Sequence, residues 1–152
     1  MPKKLIYQYL NDDEILRISN KISEIEKTTS GELVISIKEK RRFGEASKSV
    51  LDLAEKEFVS AGIAKTTVAT GILILLILKS KEFYILADKN INEKVEQSVW
   101  DTIAQSMTKH FVQGNFCKGI IKGIEDCGKI LSAHFPSLPN DVNELSNKVR
   151  LK

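Results

Sequence analysis

Between Gly71 and Ile91 the chain reads GILILLILKSKEFYILADKNI, and every position from Ile72 to Leu78 is aliphatic. A strand with one face in water would alternate apolar and polar residues. An unbroken apolar run instead predicts a strand covered on both faces. The polar turn Lys79-Ser80-Lys81-Glu82 and a second apolar run, Phe83 to Ala87, complete a hairpin that stops at Asp88-Lys89-Asn90. The pattern predicts this hairpin at the centre of a sheet, with helices packed on either side.

Upstream, Asn11 with Glu14 three residues later has the form of a capping box, and Ile15, Ile18, Ile22 and Ile25 follow at helical spacing. This first helix ends near Thr28-Thr29-Ser30-Gly31, and Glu32 to Lys38 reads as the first strand. After a basic loop, Glu39 to Gly44, a second helix is expected over Glu45 to Ala61, with Val50, Leu53, Ala54 and Phe58 inward and Gly62 as its C′ residue. Lys65 to Thr70 is expected to be a loop leading into the hairpin. A third helix, capped by Asn90 or Asn92, should carry the stripe Val95, Val99, Ile103, Met107 and Phe111, with Trp100 beside it. Gly114-Asn115 breaks it, and a fourth runs from Phe116 to Ala133 before His134-Phe135-Pro136 ends it. Its glycines, Gly119, Gly123 and Gly128, are expected to permit close packing against the sheet. The tail from Ser137 to Lys152 either lacks order or docks as a short helix through Val142, Leu145 and Val149. Residues 1–136 thus form the domain and 137–152 a C-terminal tail. The order α-β-α-β-β-α-α predicts a Rossmann-like three-layer α/β/α sandwich around a small mixed sheet, its first two strands parallel and the third antiparallel.

Composition narrows the function. The chain has 152 residues, 42% hydrophobic and 28% charged, with a net charge of +3. Its basic residues gather at Lys38, Lys40, Arg41 and Arg42 and again in the tail, without interleaved aromatics, so no nucleic-acid partner is expected. The start turns acidic before any apolar leader forms, and the run Val68 to Leu78 is too short to span a membrane. Cys117 and Cys127 lie ten residues apart on one helix, about 15 Å along its axis, too far for a disulfide. Free thiols fit a reducing compartment, and a cytoplasmic monomer with a protein partner is expected.

The topology also places chemistry. The first strand begins at Glu32, the second begins at Gly71 and the third ends at Asp88, so all three points fall at one sheet edge. Glu32, Asp88 and Glu93, with Asn90, Asn92 and loop carbonyls, offer the hard oxygen ligands that calcium takes. Asp88 and Asn90 are equally what a strand-to-helix turn uses, and Glu93 suits a helix's first turn. No catalytic residues are assigned: His110 and His134 sit near helix C-termini, where a cation suits the dipole, and no GxSxG, Walker, HExxH or Rossmann glycine pattern occurs. The Lys38–Arg42 run is compatible with a phosphate or an acidic partner, and also with a solvated loop.

Several segments, taken in order, resemble one family. Thr28-Thr29-Ser30-Gly31-Glu32-Leu33-Val34-Ile35, Thr70-Gly71-Ile72-Leu73-Ile74 and Phe83-Tyr84-Ile85-Leu86-Ala87-Asp88-Lys89-Asn90-Ile91 resemble the strand-opening segments of the TPM domain family. Val99-Trp100-Asp101, Phe111 to Gly119, and Gly128 to Pro136 with its closing His-Phe-Pro are similar to its short cytoplasmic bacterial branch. The resemblance covers Asp12 to Pro136. It implies an α/β/α sandwich, a calcium site in some members at the edge that carries Asp88, and acid phosphatase activity as assigned to plant members. Thr70 stands where the family usually has Asn or Asp, and Ala87 and Asn90 stand where it usually has glycine. Those departures imply a weak site. The expected function is an interaction or adaptor module with a weak divalent-cation site; the alternatives are a phosphate-ester hydrolase and a scaffold without a ligand.

Overall fold

The computed structural model describes residues 5–63, 69–137 and 149–152. After a short 3-10 turn at Leu5–Gln8, the elements run α1 (Asp12–Glu26), β1 (Glu32–Lys38), α2 (Val50–Ser60), β2 (Gly71–Ile77), β3 (Glu82–Ala87), α3 (Lys89–Asn92), α4 (Gln97–Val112), α5 (Phe116–His134) and β4 (Arg150–Leu151). The sheet order is β3-β2-β1-β4, with β1 parallel to both β2 and β4 and with β2 antiparallel to β3. The three-layer α/β/α architecture follows from two apolar clusters. Leu33, Ile35, Ile37, Ile72, Ile74 and Leu76 face α1, α4 and α5. Val34, Leu73, Leu75 and Ile77 face α2.

β2 is buried at all seven positions, as an uninterrupted apolar run requires. β3 is not. Five of its six residues are only half-buried, because β3 lies at the open edge of the sheet rather than at its centre. The hairpin therefore has one central strand and one edge strand.

The Asn11–Glu14 capping box forms, and Ile18 and Ile22 are fully buried. Helix α2 starts five residues later than the pattern suggested. Glu45 turns inward onto Lys38 and the Arg42 N–H instead of joining a helix, and Ser49 with Asp52 makes the capping box. Gly62 has the positive φ of 81° expected at a C′ position. The expected third helix divides into the single turn α3 and the longer α4. In α4, Trp100, Ile103 and Met107 are buried while Val99 is 39% exposed, so Trp100 takes the inward place assigned to Val99. The glycines of α5 allow close packing between helices, not against the sheet: a Cβ on Gly119 or Gly123 would meet Phe111 or Met107 of α4, and one on Gly128 would meet Ile25 of α1.

The end of the tail contributes β4, an element its sequence did not announce. Arg150 and Leu151 pair with Ser36 and Ile37, and Glu57 holds Arg150 from α2 at 3.0 Å. The tail positions Val142 and Leu145, like Thr66 of the expected loop, lie outside the described residues. No helix among the described residues is long and apolar enough to cross a membrane.

Close approach decides one substitution. A Cβ on Gly71 would stand 2.2 Å from Cγ2 of Ile63, whose β-branched side chain has little rotamer freedom. Gly71→Ala is expected to destabilise the fold by about 1–3 kcal/mol, read as a lower urea midpoint with an unchanged slope. A midpoint equal to the parent's would show that this contact is slack.

Candidate functional site

The pairing register brings the three expected segments together around Gly71. Glu32 lies opposite Gly71, its N–H reaches the Thr70 carbonyl at 3.3 Å, and the Asp88 N–H donates to the Gly71 carbonyl at 2.8 Å. Beside them Thr29, 2% exposed, ties the turn after α1 to the end of α5. Its hydroxyl bonds the Leu131 carbonyl at 3.1 Å and the Phe135 carbonyl, and accepts the Gly31 N–H at 3.0 Å.

This edge holds a carboxyl that sequence reasoning missed. Glu26, the last residue of α1, accepts the N–H of Leu33 at 2.8 Å and interacts with the carboxyl of Glu32, which is 5% exposed. Burial, and then the neighbouring Glu32 charge, push Glu26 up to about 8 against the downward pull of the Leu33 N–H. The signal was readable: an acid at a helix C-terminus opposes the dipole and calls for another reason to be there.

The expected ligands are distributed differently. Asp88 caps α3, its Oδ1 accepting the Lys89 N–H at 2.8 Å, while its Oδ2 is buried with no hydrogen-bond partner among the described residues. Asn92 donates to the Ala87 carbonyl at 2.9 Å. Glu93 is exposed at the other end of this one-turn helix, about 7 Å along the axis from Asp88. Glu32 and Asp88 thus share the edge around Gly71, and Glu93 caps the far end of α3. Among the described residues no three His, Cys, Asp or Glu side chains converge where they could hold a metal ion. The oxygen donors present at the edge are Glu26, Glu32, Asp88 and main-chain carbonyls.

No reactive constellation accompanies them. Cys117 and Cys127 are free and buried, and burial pushes both thiols up, away from the reactive thiolate. His110 and His134 occupy the last turns of α4 and α5, as their spacing implied. At the opposite edge of the sheet, much of the basic run is structural. Arg41 makes a two-pronged pair with Glu82 at 3.0 and 2.9 Å, and Lys38 pairs with Glu45 at 2.5 Å.

Two concavities lie elsewhere, beside β3. One, about 400 Å³, is lined by Tyr9, Phe83, Phe111, Val112 and Phe116 among others. Its rings touch, with Phe83 and Phe111 edge-on at 5.4 Å and Phe111 and Phe116 at 5.0 Å. The second, about 370 Å³, runs between β3 and the Gln97, Asp101, Ala104 and Thr108 stripe of α4. Phe83 and Thr108 line both, so the two form one groove. The main chain along it is open. Since the Asp88 N–H bonds Gly71, the alternation of an antiparallel pair turns Tyr84 and Leu86 toward β2 and Phe83 and Ile85 outward.

The acidic pair has a consequence for stability. Glu26 is protonated in the folded chain up to about pH 8, whereas in the unfolded chain it ionises near its ordinary value of 4.5. Its contribution is therefore full below that ordinary value and is lost as pH rises toward 8, with a slope of at most roughly 1.4 kcal/mol per pH unit. Glu26→Gln keeps an acceptor for Leu33 and removes the titration. Urea midpoints taken between pH 5 and 8 are expected to fall less steeply in that variant than in the parent, and parallel profiles would contradict the raised carboxyl.

With this geometry in place, the chain can be set beside known proteins. The TPM domain family profile matches residues 7–130. The BA42 protein from the psychrophilic bacterium Bizionia argentinensis, solved by NMR, is similar at a TM-score of 0.85 and 31% identity, over 99% of this chain and 100% of that one. The N-terminal domain of a P. gingivalis protein, also an NMR structure, shares the fold at a TM-score of 0.68 and 15% identity, over 84% of this chain and 79% of that one. No curated protein matches. On the extent of the profile match and the likeness to BA42, the chain belongs to the TPM domain family.

Proposed function

We propose that this TPM domain is a binding module that receives an extended peptide along β3. One observation carries the reading: an edge strand with no described strand beyond it and a concave surface of aromatic and polar lining occupy the same place. Edge strands present unpaired N–H and C=O groups, and an added strand satisfies them while its alternate side chains enter neighbouring pockets. Here the outward groups of Phe83 and Ile85 set the pairing, and the Phe83–Phe111–Phe116 pocket takes an apolar anchor. The occupant is a peptide with apolar residues at alternate positions.

A second reading has its own observation. The buried Oδ2 of Asp88, without a hydrogen-bond partner among the described residues, is an oxygen that a divalent cation would relieve, and Glu32 starts β1 at the same sheet edge. We infer a weak calcium site there, formed by Asp88 and Glu32 with main-chain oxygens. Glu93, exposed at the far end of α3, adds at most a water-bridged contact. No observation favours phosphate-ester hydrolysis.

Selection from a random peptide library is expected to enrich sequences with alternating apolar residues, and their binding is expected to protect the Phe83 and Ile85 amides from hydrogen exchange. Ile85→Pro removes an outward donor without touching the β2 ladder, and should weaken such peptides about tenfold or more. Peptides whose protection maps away from β3 would overturn the groove reading. For the cation, a calcium titration with magnesium as control should give saturable amide shifts at Glu32, Thr70 and Asp88 that Asp88→Ala abolishes. No shift at millimolar calcium would remove that site.

A further inference from the structure

At the sheet edge opposite the acidic cluster, α2 and the β1–β4 side of the sheet enclose a pocket of about 70 Å³. Four cationic side chains line it: Lys38 from the end of β1, Arg42 from the following loop, Lys56 from α2 and Lys152 beyond β4. Its other polar lining is Glu57 and Ser60. We propose that this pocket binds the phosphoryl group of a small phosphorylated ligand.

The first argument is charge. Two buried carboxylates serve this region, and each already holds two cations. Glu45 takes Lys38 at 2.5 Å and Lys56 at 3.5 Å, and Glu57 takes Arg150 at 3.0 Å and Lys152 at 3.4 Å. With Arg42 that makes five cationic side chains against these two carboxylates and Glu39, which lines the adjoining cavity with Lys152, so two positive charges have no side-chain counterpart. Lys38 holds Glu45 down to about 2, so this carboxylate stays ionised and bound to its own partner. The excess falls on Arg42 and Lys56. Coulomb repulsion among them is relieved by an anion placed between them.

The second argument is available donors. The guanidinium of Arg42 and the hydroxyl of Ser60 have no hydrogen-bond partner among the described residues. The Lys56 side chain is 65% exposed and stands 3.5 Å from Glu45. A guanidinium and two ammonium groups converging from different elements match a tetrahedral dianion, whose oxygens diverge, better than a planar carboxylate with two.

Size and floor complete the case. The volume, about 70 Å³, gives room for a phosphoryl group between the side chains. Leu53 and Leu75 form an apolar floor that lowers the local dielectric and strengthens the charge pairing. Leu53, Lys56, Glu57 and Ser60 follow one flank of α2, so the ligand lies beside the helix and is held by side chains rather than by a helix terminus. The proposal stands apart from the peptide groove and from the acidic edge.

The test is an amide-shift titration of the full chain with inorganic phosphate at constant ionic strength, with sodium chloride and sodium acetate as controls. Saturable shifts at Arg42, Lys56, Ser60 and Lys152 are expected, absent with chloride and weaker with acetate. Arg42→Ala, a change at an unpartnered exposed side chain, should weaken phosphate roughly tenfold, and so should Lys56→Ala. Either variant with a parent-like spectrum suffices, so misfolding of one leaves the test intact. Glycerol phosphate and O-phosphoserine decide the source: tighter binding than phosphate assigns an ester ligand, and equal binding assigns the free ion. Shifts that fail to saturate, that acetate reproduces equally, or that survive both substitutions would overturn the site.

Discussion

The structure depends on the burial of β2. Seven residues, Gly71–Ile77, have no face for water, so each side of the strand needs an apolar layer and each backbone edge needs a partner strand. Burying one Leu or Ile side chain is worth about 1.5–3 kcal/mol, and β2 places six of them between the two clusters. α2 supplies one cover, and α1, α4 and α5 supply the other. Everything else is arranged around that strand, including where the two sheet ends expose polar groups.

The arrangement separates charge by sheet end. Glu26 and Glu32 interact at the end where β1 and β2 begin, and Asp88 stands at the same end, where β3 stops. Lys38, Arg42, Lys56 and Lys152 meet around the pocket toward the other end. Neither group is continuous in sequence. Each forms because parallel pairing of β1 with β2 aligns their starts with each other and their ends with each other, and because α2 and β4 deliver further side chains to the basic side. The buried carboxylates differ accordingly. Glu45 is lowered by a lysine in direct contact, and Glu26 is raised by burial beside another acid.

Polar groups that look available in the sequence are in part structural. Arg41 ties the loop after β1 to the hairpin through Glu82, and Thr29 ties the turn after α1 to the end of α5. Such contacts hold long-range geometry at the price of side-chain freedom. The groove along β3 is different: its aromatic rings pack on the core from one side and are half-exposed on the other, and no described strand pairs with its outward main chain.

Local pattern determined much of this fold. The capping box at Asn11, the periodic face of α1, the break at Gly114 and the unbroken run of β2 were legible because each signal lies within a few residues and acts through local geometry. The meeting of Glu32, Gly71 and Asp88 at one edge followed from element order alone. Tertiary structure decided the rest. An apolar run of six residues cannot say whether it will be central or at an edge, and β3 is half-open because no described strand lies beyond it. Trp100 took the inward place expected of Val99, Glu45 left its expected helix for Lys38, and Glu93 stands at the far end of α3 from Asp88. Glu26 and Glu32, or Lys56 and Lys152, become neighbours only when separate elements pack, and no spacing along the chain encodes that distance.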